Sequence, residues 1–129
     1  MIGYLLDTSA ALLALAEPDR LSLRVRTALL RANNYLSVVS FWEVLLKSVK
    51  GKLEVGDARV WWRDTLDQLG ATALVLRPEH IAEVYALPPF HKDPFDRILI
   101  AQAIVEDMSL VTTDSLISRY ASQRFRVLS

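Results

Sequence analysis

The chain has 129 residues, of which 52% are apolar and 23% charged; that is enough for one core and too apolar for a disordered tail. Cysteine is absent, which excludes disulfide scaffolds, zinc knuckles, iron–sulfur sites and thiol nucleophiles. Fifteen basic and fifteen acidic residues balance to a net charge of zero, so any polyanion partner must meet a local positive surface. With no cleavable leader pattern and no apolar run of roughly 18–20 residues, a single soluble cytoplasmic domain over residues 1–129 is expected.

Short apolar runs alternate with amphipathic stretches along the chain. Gly3, Tyr4, Leu5 and Leu6 read as a buried strand ending in Asp7. Thr8 or Ser9 can cap a helix over residues 10–16, which stops before Pro18. Residues 21–32 carry Leu21, Val25, Ala28, Leu29 and Ala32 on one stripe, the pattern of an amphipathic helix. Asn33 and Asn34 suggest a turn, and residues 35–39 are rich in strand formers. Ser40 then precedes a helix with Phe41, Val44, Leu45 and Val49, ending near Gly51, with Glu43 in its first turn. Asp57 caps the next helix and Gly70 stops it.

Residues 71–76 are a further strand, and Arg77 and Pro78 open a short helix that closes at Pro88 and Pro89. Asp93 followed by Pro94 starts a strong helix, a strand over residues 109–113 ends in Asp114, and a short helix and a strand over residues 125–128 complete the chain. This alternation predicts an α/β fold: a three-layer α/β/α sandwich around a central, mainly parallel sheet. Ligands of such sheets bind beyond the carboxyl ends of the strands.

Asp7, Glu43, Asp93, Asp96 and Asp114 would all meet at that edge. Singly, each carboxylate reads as a helix cap or a partner of a helix dipole, worth about 1 kcal/mol. Asp93 fits a cap and a metal ligand equally well. Together they conflict, because two like charges 4 Å apart repel by about 4 kcal/mol at an effective dielectric near 20. A domain stable by about 5–15 kcal/mol does not carry several such pairs lightly. A hard divalent cation reverses the sign, and all-oxygen ligation selects Mg²⁺ or Mn²⁺. Such a site suits phosphodiester hydrolysis.

The wording of these blocks carries a resemblance. Leu5-Leu6-Asp7-Thr8-Ser9-Ala10-Ala11-Leu12, then Ser40-Phe41-Trp42-Glu43-Val44 with Lys47 and Gly51-Lys52-Leu53, resembles the PIN-domain ribonucleases. His91-Lys92-Asp93-Pro94-Phe95-Asp96-Arg97, with Leu110-Val111-Thr112-Thr113-Asp114, is similar to the VapC toxins of toxin–antitoxin pairs. The resemblance implies an Mg²⁺- or Mn²⁺-dependent endoribonuclease whose acids are Asp7, Glu43, Asp96 and Asp114. Asp7, Asp96 and Asp114 would hold the metal, and Glu43 would ligate it or orient a metal-bound water. Thr8 and Ser9 would hydrogen-bond the carboxylates, and Asp93 would support them or cap its helix. Arg97 would be a surface ion-pair partner or a phosphate contact. Ser9 stands where close relatives often have histidine, and Thr113 where many have a basic residue.

Trp42 is expected to pack beneath the site, one of Trp61 and Trp62 to enter the core, and His91 to be a hydrogen-bonded loop residue; His80 receives no role. The resemblance also implies a homodimer and a VapB-like antitoxin, with Leu12, Leu13 and Leu15 as a candidate docking surface. Residues 20–52 hold seven bases against Glu43 alone, and these would guide an RNA backbone. Two other classes are weighed. A phosphoryl-transfer domain would use Asp7 as acceptor, but Ser9 stands where its second acid belongs. A non-catalytic binding module predicts missing carboxylates, and all four are present.

Overall fold

The computed structural model describes residues 3–31, 33–89 and 91–129. Among these residues five strands form one parallel sheet: β1 (Gly3–Leu6), β2 (Asn33–Ser37), β3 (Thr72–Leu74), β4 (Ser109–Val111) and β5 (Arg126–Leu128), in the order β3-β2-β1-β4-β5. Seven α-helices connect them: α1 (Thr8–Ala16), α2 (Leu23–Arg31), α3 (Val38–Val49), α4 (Ala58–Leu69), α5 (Pro78–Glu83), α6 (Pro94–Val105) and α7 (Ser115–Ser118). Two 3₁₀ turns, Pro18–Arg20 and Val84–Ala86, follow α1 and α5.

Strand alternation divides the core in two. Leu5 and Leu110 point to one face, where Leu99, Ile100 and Ala103 of α6 and Ile117 of α7 cover them. Leu6, Leu36 and Val111 point to the other, against Ala10, Ala11, Val25, Val44 and Trp61. Each fully buried leucine contributes about 1.5–3 kcal/mol, which holds both helical layers on the sheet. The expected sandwich is present.

Several boundaries differ from the sequence reading, each for a local reason. Asp7, rather than Thr8 or Ser9, caps α1, its Oδ1 accepting from the Ala10 N–H at 2.8 Å. Asn33 and Asn34 are strand, not turn. The Asn34 amide turns inward and donates to the carbonyls of Leu29 (2.8 Å) and Leu69 (3.1 Å), tying the ends of α2 and α4 to β2. Ser37 ends β2 and caps α3 by accepting from the Val39 N–H at 3.0 Å, so Val38 and Val39 are helical despite their strand preference. Glu43 consequently lies in the second turn of α3. Strand β3 keeps only three of the six expected residues, β4 stops at Val111, and β5 starts at Arg126. Helix α2 starts at Leu23, and the expected end at Ala32 lies outside the described residues.

Three helix ends turn through left-handed residues, Gly51 after α3 at φ +71° among them. Gly70 closes α4 at φ +56° as its sequence position predicts. Asp107 does the same after α6 at φ +55°, a conformation that aspartate tolerates better than most side chains.

Candidate metal and active site

Every connection out of β1, β2 and β4 turns into a helix at the same edge of the sheet, and the caps of those helices are polar. Asp7 follows the central strand and is only 2% exposed. Its two oxygens are both engaged: Oδ1 caps α1, and Oδ2 accepts from Thr112 Oγ1 at 2.5 Å. Burial pushes its pKa from 3.8 up to about 6, against the lowering effect of these two bonds, with repulsion from Asp114 and Glu43 adding to the rise. Glu43 reaches in from α3. Its Oε2 accepts from Lys47 Nζ at 2.6 Å, while Oε1 is buried with no hydrogen-bond partner among the described residues.

Asp96 sits in the first turn of α6, behind Asp93 at the cap and Pro94 at the first helical position. Burial raises its pKa from 3.8 to about 7, with the charges of Asp93, Asp7 and Glu43 adding and His91 opposing. Asp114 caps α7, accepting from the Leu116 N–H at 2.8 Å. Its other oxygen lies 3.1 Å from His91 Nε2, and the same nitrogen is 3.0 Å from Asp96 Oδ2. Ligand-capable atoms of His91, Asp96 and Asp114 all lie within 4.8 Å of one another. The pKa of Lys47 is raised, first by its bond to Glu43, against partial desolvation, with the charges of Asp93 and Asp96 contributing.

The donor set fits a hard divalent cation. Carboxylates predominate, two of them are forced towards protonation by burial and by neighbouring carboxylates, and Glu43 Oε1 is a buried acceptor with nothing to accept from among the described residues. An orphaned buried acceptor is costly unless something else satisfies it. Asp7, Glu43, Asp96 and Asp114 are the residues that could hold such an ion.

Residues 4–123 match the family model described as PIN domain. The chain belongs to the PIN-domain family. A relative from Mycobacterium tuberculosis named Ribonuclease VapC22 is 30% identical over 116 residues, covering 88% of each chain. Among solved structures, VapBC2 from Rickettsia felis bound to a promoter DNA fragment aligns at a TM-score of 0.74 with 14% identity and 98% of each chain covered. VapBC-1 from nontypeable Haemophilus influenzae aligns at 0.65, also with 14% identity, covering 98% of this chain and 97% of that one. These structural likenesses establish the shared fold.

In this PIN domain Asp7, Glu43, Asp96 and Asp114 gather at one edge, as the sequence suggested. The supporting residues differ. Thr8 Oγ1 donates to Ser40 Oγ at 3.0 Å rather than to a carboxylate, and Ser9 is exposed. Thr112 takes the part expected of them, across 105 residues of sequence that offered no signal. Asp93 is a cap, accepting from the N–H groups of Phe95 (2.8 Å) and Asp96 (3.3 Å). Among the described residues Arg97 makes no ion pair of 4.0 Å or less. It donates instead to the carbonyls of Pro88 and His91 and to Tyr120 Oη.

The pairing of Lys47 with Glu43 was missed, although their i,i+4 spacing on one helix is the signal that could have found it. Trp42 does not pack beneath the site. Lying next to Glu43 on α3, it points outward, 55% exposed, edge-on to Phe95 at 5.5 Å between centroids. Trp61 is core, while Trp62 stacks on Phe41 at 5.0 Å. His80 is fully buried and bonded to Glu106 at 2.8 Å, to the Arg77 N–H and to Gln102. Leu12, Leu13 and Leu15 line a cleft of about 410 Å³ with Leu53, Val55 and Trp61.

Proposed function

We propose that this PIN domain is a divalent-cation-dependent endoribonuclease, the toxin of a VapBC-type pair, acting in the cytoplasm. The observation that carries the reading is the convergence of Asp7, Glu43, Asp96 and Asp114, with Glu43 Oε1 buried and unpaired. Mg²⁺ is the favoured ion and Mn²⁺ an alternative, because the donors are hard oxygens. The relative named a ribonuclease supports the reaction class. The VapBC names of the similar structures support a VapB-like antitoxin.

A bound cation would supply Lewis acidity, activating water and offsetting charge on the scissile phosphodiester. The chain's own contribution is positioning. Thr112 and the Ala10 N–H fix both oxygens of Asp7, so its carboxylate cannot rotate freely. Lys47 holds one oxygen of Glu43 and leaves the other to ligate the ion or to accept a hydrogen from the attacking water. In the hydrolysis, the water oxygen bonds to phosphorus as the P–O3′ bond breaks, and the departing oxygen takes up a proton. The cleft at Leu12, Leu13 and Leu15 suits an apolar segment of the antitoxin, and homodimerisation belongs to the same reading.

The test is cleavage of total cytoplasmic RNA by purified, antitoxin-free protein with Mg²⁺ or Mn²⁺, with EDTA, and with Asp96→Asn. Fragments that need the metal and vanish in the variant are expected. Equal fragments from variant and wild type would sink the site assignment.

A further inference from the structure

His91 lies outside every helix and strand, yet its ring and main chain are both held. Nδ1 accepts from the Asp93 N–H at 3.2 Å. A ring nitrogen that accepts a hydrogen bond carries no proton, so in the neutral imidazole the hydrogen sits on Nε2, a tautomer assigned from this geometry. Nε2–H is then a donor shared between Asp96 Oδ2 at 3.0 Å and Asp114 Oδ2 at 3.1 Å, rather than a lone pair available to a cation. Ligation through Nε2 would need the proton on Nδ1, facing the Asp93 N–H.

The main chain of His91 is tied to the same region. Its N–H donates to Tyr120 Oη at 2.6 Å, and its carbonyl accepts from Arg97 Nη1 at 3.2 Å. Arg97 Nη1 also donates to Tyr120 Oη at 3.2 Å. Tyr120, 6% exposed, lies just past α7, whose opposite end is capped by Asp114. His91 thereby grips α7 at both ends and α6 at its first turn. Among the described residues it alone bonds both Asp96 and Asp114. A guanidinium so near an acidic cluster would gain most from an ion pair, but Arg97 spends its donors on carbonyls and a phenol.

We infer that His91 is a positioning residue that sets the separation and orientation of Asp96 and Asp114, with Arg97 and Tyr120 holding it in place. The inference rests on the proposed metal site, since only there do the two carboxylates have a shared task. Groups that orient metal ligands typically cost roughly 10- to 100-fold in metal affinity when removed.

The experiment is Mn²⁺ and Mg²⁺ titration calorimetry on folded wild type, His91→Ala, His91→Gln and Tyr120→Phe. Tautomer-sensitive ¹⁵N spectra of the metal-free wild type accompany it. His91→Ala should bind Mn²⁺ roughly 10- to 100-fold more weakly. His91→Gln, whose amide can still donate, should recover most of that loss and keep the wild-type ratio of Mn²⁺ to Mg²⁺ affinity. Tyr120→Phe should lie between, and the spectra should show the Nε2–H tautomer. Wild-type affinity in His91→Ala would overturn the inference. So would a glutamine variant as weak as alanine with its preference moved towards Mg²⁺, which would make the imidazole a ligand. An Nδ1–H tautomer overturns it whatever the titration gives. Failure of Asp96→Asn to weaken Mn²⁺ binding would instead strike the metal site itself.

Discussion

Asp7 shows how a single buried carboxylate links fold to function. Its pKa is raised from 3.8 to about 6, chiefly by burial, and that of Asp96 to about 7 for the same first cause. A carboxyl that holds its proton more tightly in the folded chain than in the unfolded one stabilises the fold only while protonated. Its contribution is complete below about pH 4 and is lost as pH rises through the folded value. For Asp7 the difference corresponds to about 3 kcal/mol. In EDTA, therefore, Asp7→Asn should be more stable than wild type at pH 8 by about 2–3 kcal/mol, because asparagine keeps the cap of α1 without the charge. The gap should close as pH falls to about 4. Urea unfolding across that range reads it directly, and parallel pH profiles for the two proteins would show that Asp7 is not perturbed.

At the scale of elements, the site is a set of helix beginnings. Asp7, Ser37, Asp93 and Asp114 cap α1, α3, α6 and α7, and Glu43 and Asp96 project from the turns behind two of those caps. Much of this was legible: the strand–helix alternation, the Asp57 and Gly70 bounds of α4, and the Asp93–Pro94 start of α6 are local signals, and the carboxyl-edge rule gathers the acids. The start of α3 was not, because strand-forming Val38 and Val39 are overruled by the Ser37 cap. Nor was Asn34, whose partners Leu29 and Leu69 lie on two other elements. His91 is the hydrogen-bonded loop residue its sequence suggested, but its partner Asp114, like Asp7 as the partner of Thr112, escaped for the same reason, the bonds spanning 23 and 105 residues. Asp93 offers a test at this scale. Asp93→Ala should cost about 1 kcal/mol in urea unfolding of the metal-free protein, the usual value of a lost cap. Asp93→Asn should cost nothing, since it keeps the cap and removes a charge that repels Asp96. A loss in the asparagine variant as large as in alanine would mean that the charge of Asp93 matters in its own right.

Across the whole molecule, charge is divided by the topology. Within the basic stretch of residues 20–52, Arg20 and Arg26 pair with Glu17 and Asp19, and Arg31 ends α2 at the amino ends of the strands, opposite the site. Lys47 is the base that ion-pairs with Glu43 inside the site. The sheet order places β1 and β4 side by side while their connections leave to opposite faces, so Asp7 and Asp114 flank the crevice where such folds bind ligands. Helix N-termini there offer partial positive charge, less than the carboxylates bring. A divalent cation bound at that edge would relieve repulsion and stabilise the folded chain by mass action. At a hundredfold excess of Mn²⁺ over its Kd the gain is about 2.7 kcal/mol, which for a chain of 129 residues raises Tm by about 10 °C. Thermal melts with and without Mn²⁺ at pH 7.5 or so should show that rise in wild type and lose it in Asp96→Asn. A rise of equal size in the variant would place the stabilising ion elsewhere on the molecule, and the acidic edge would then need another explanation for its buried charge.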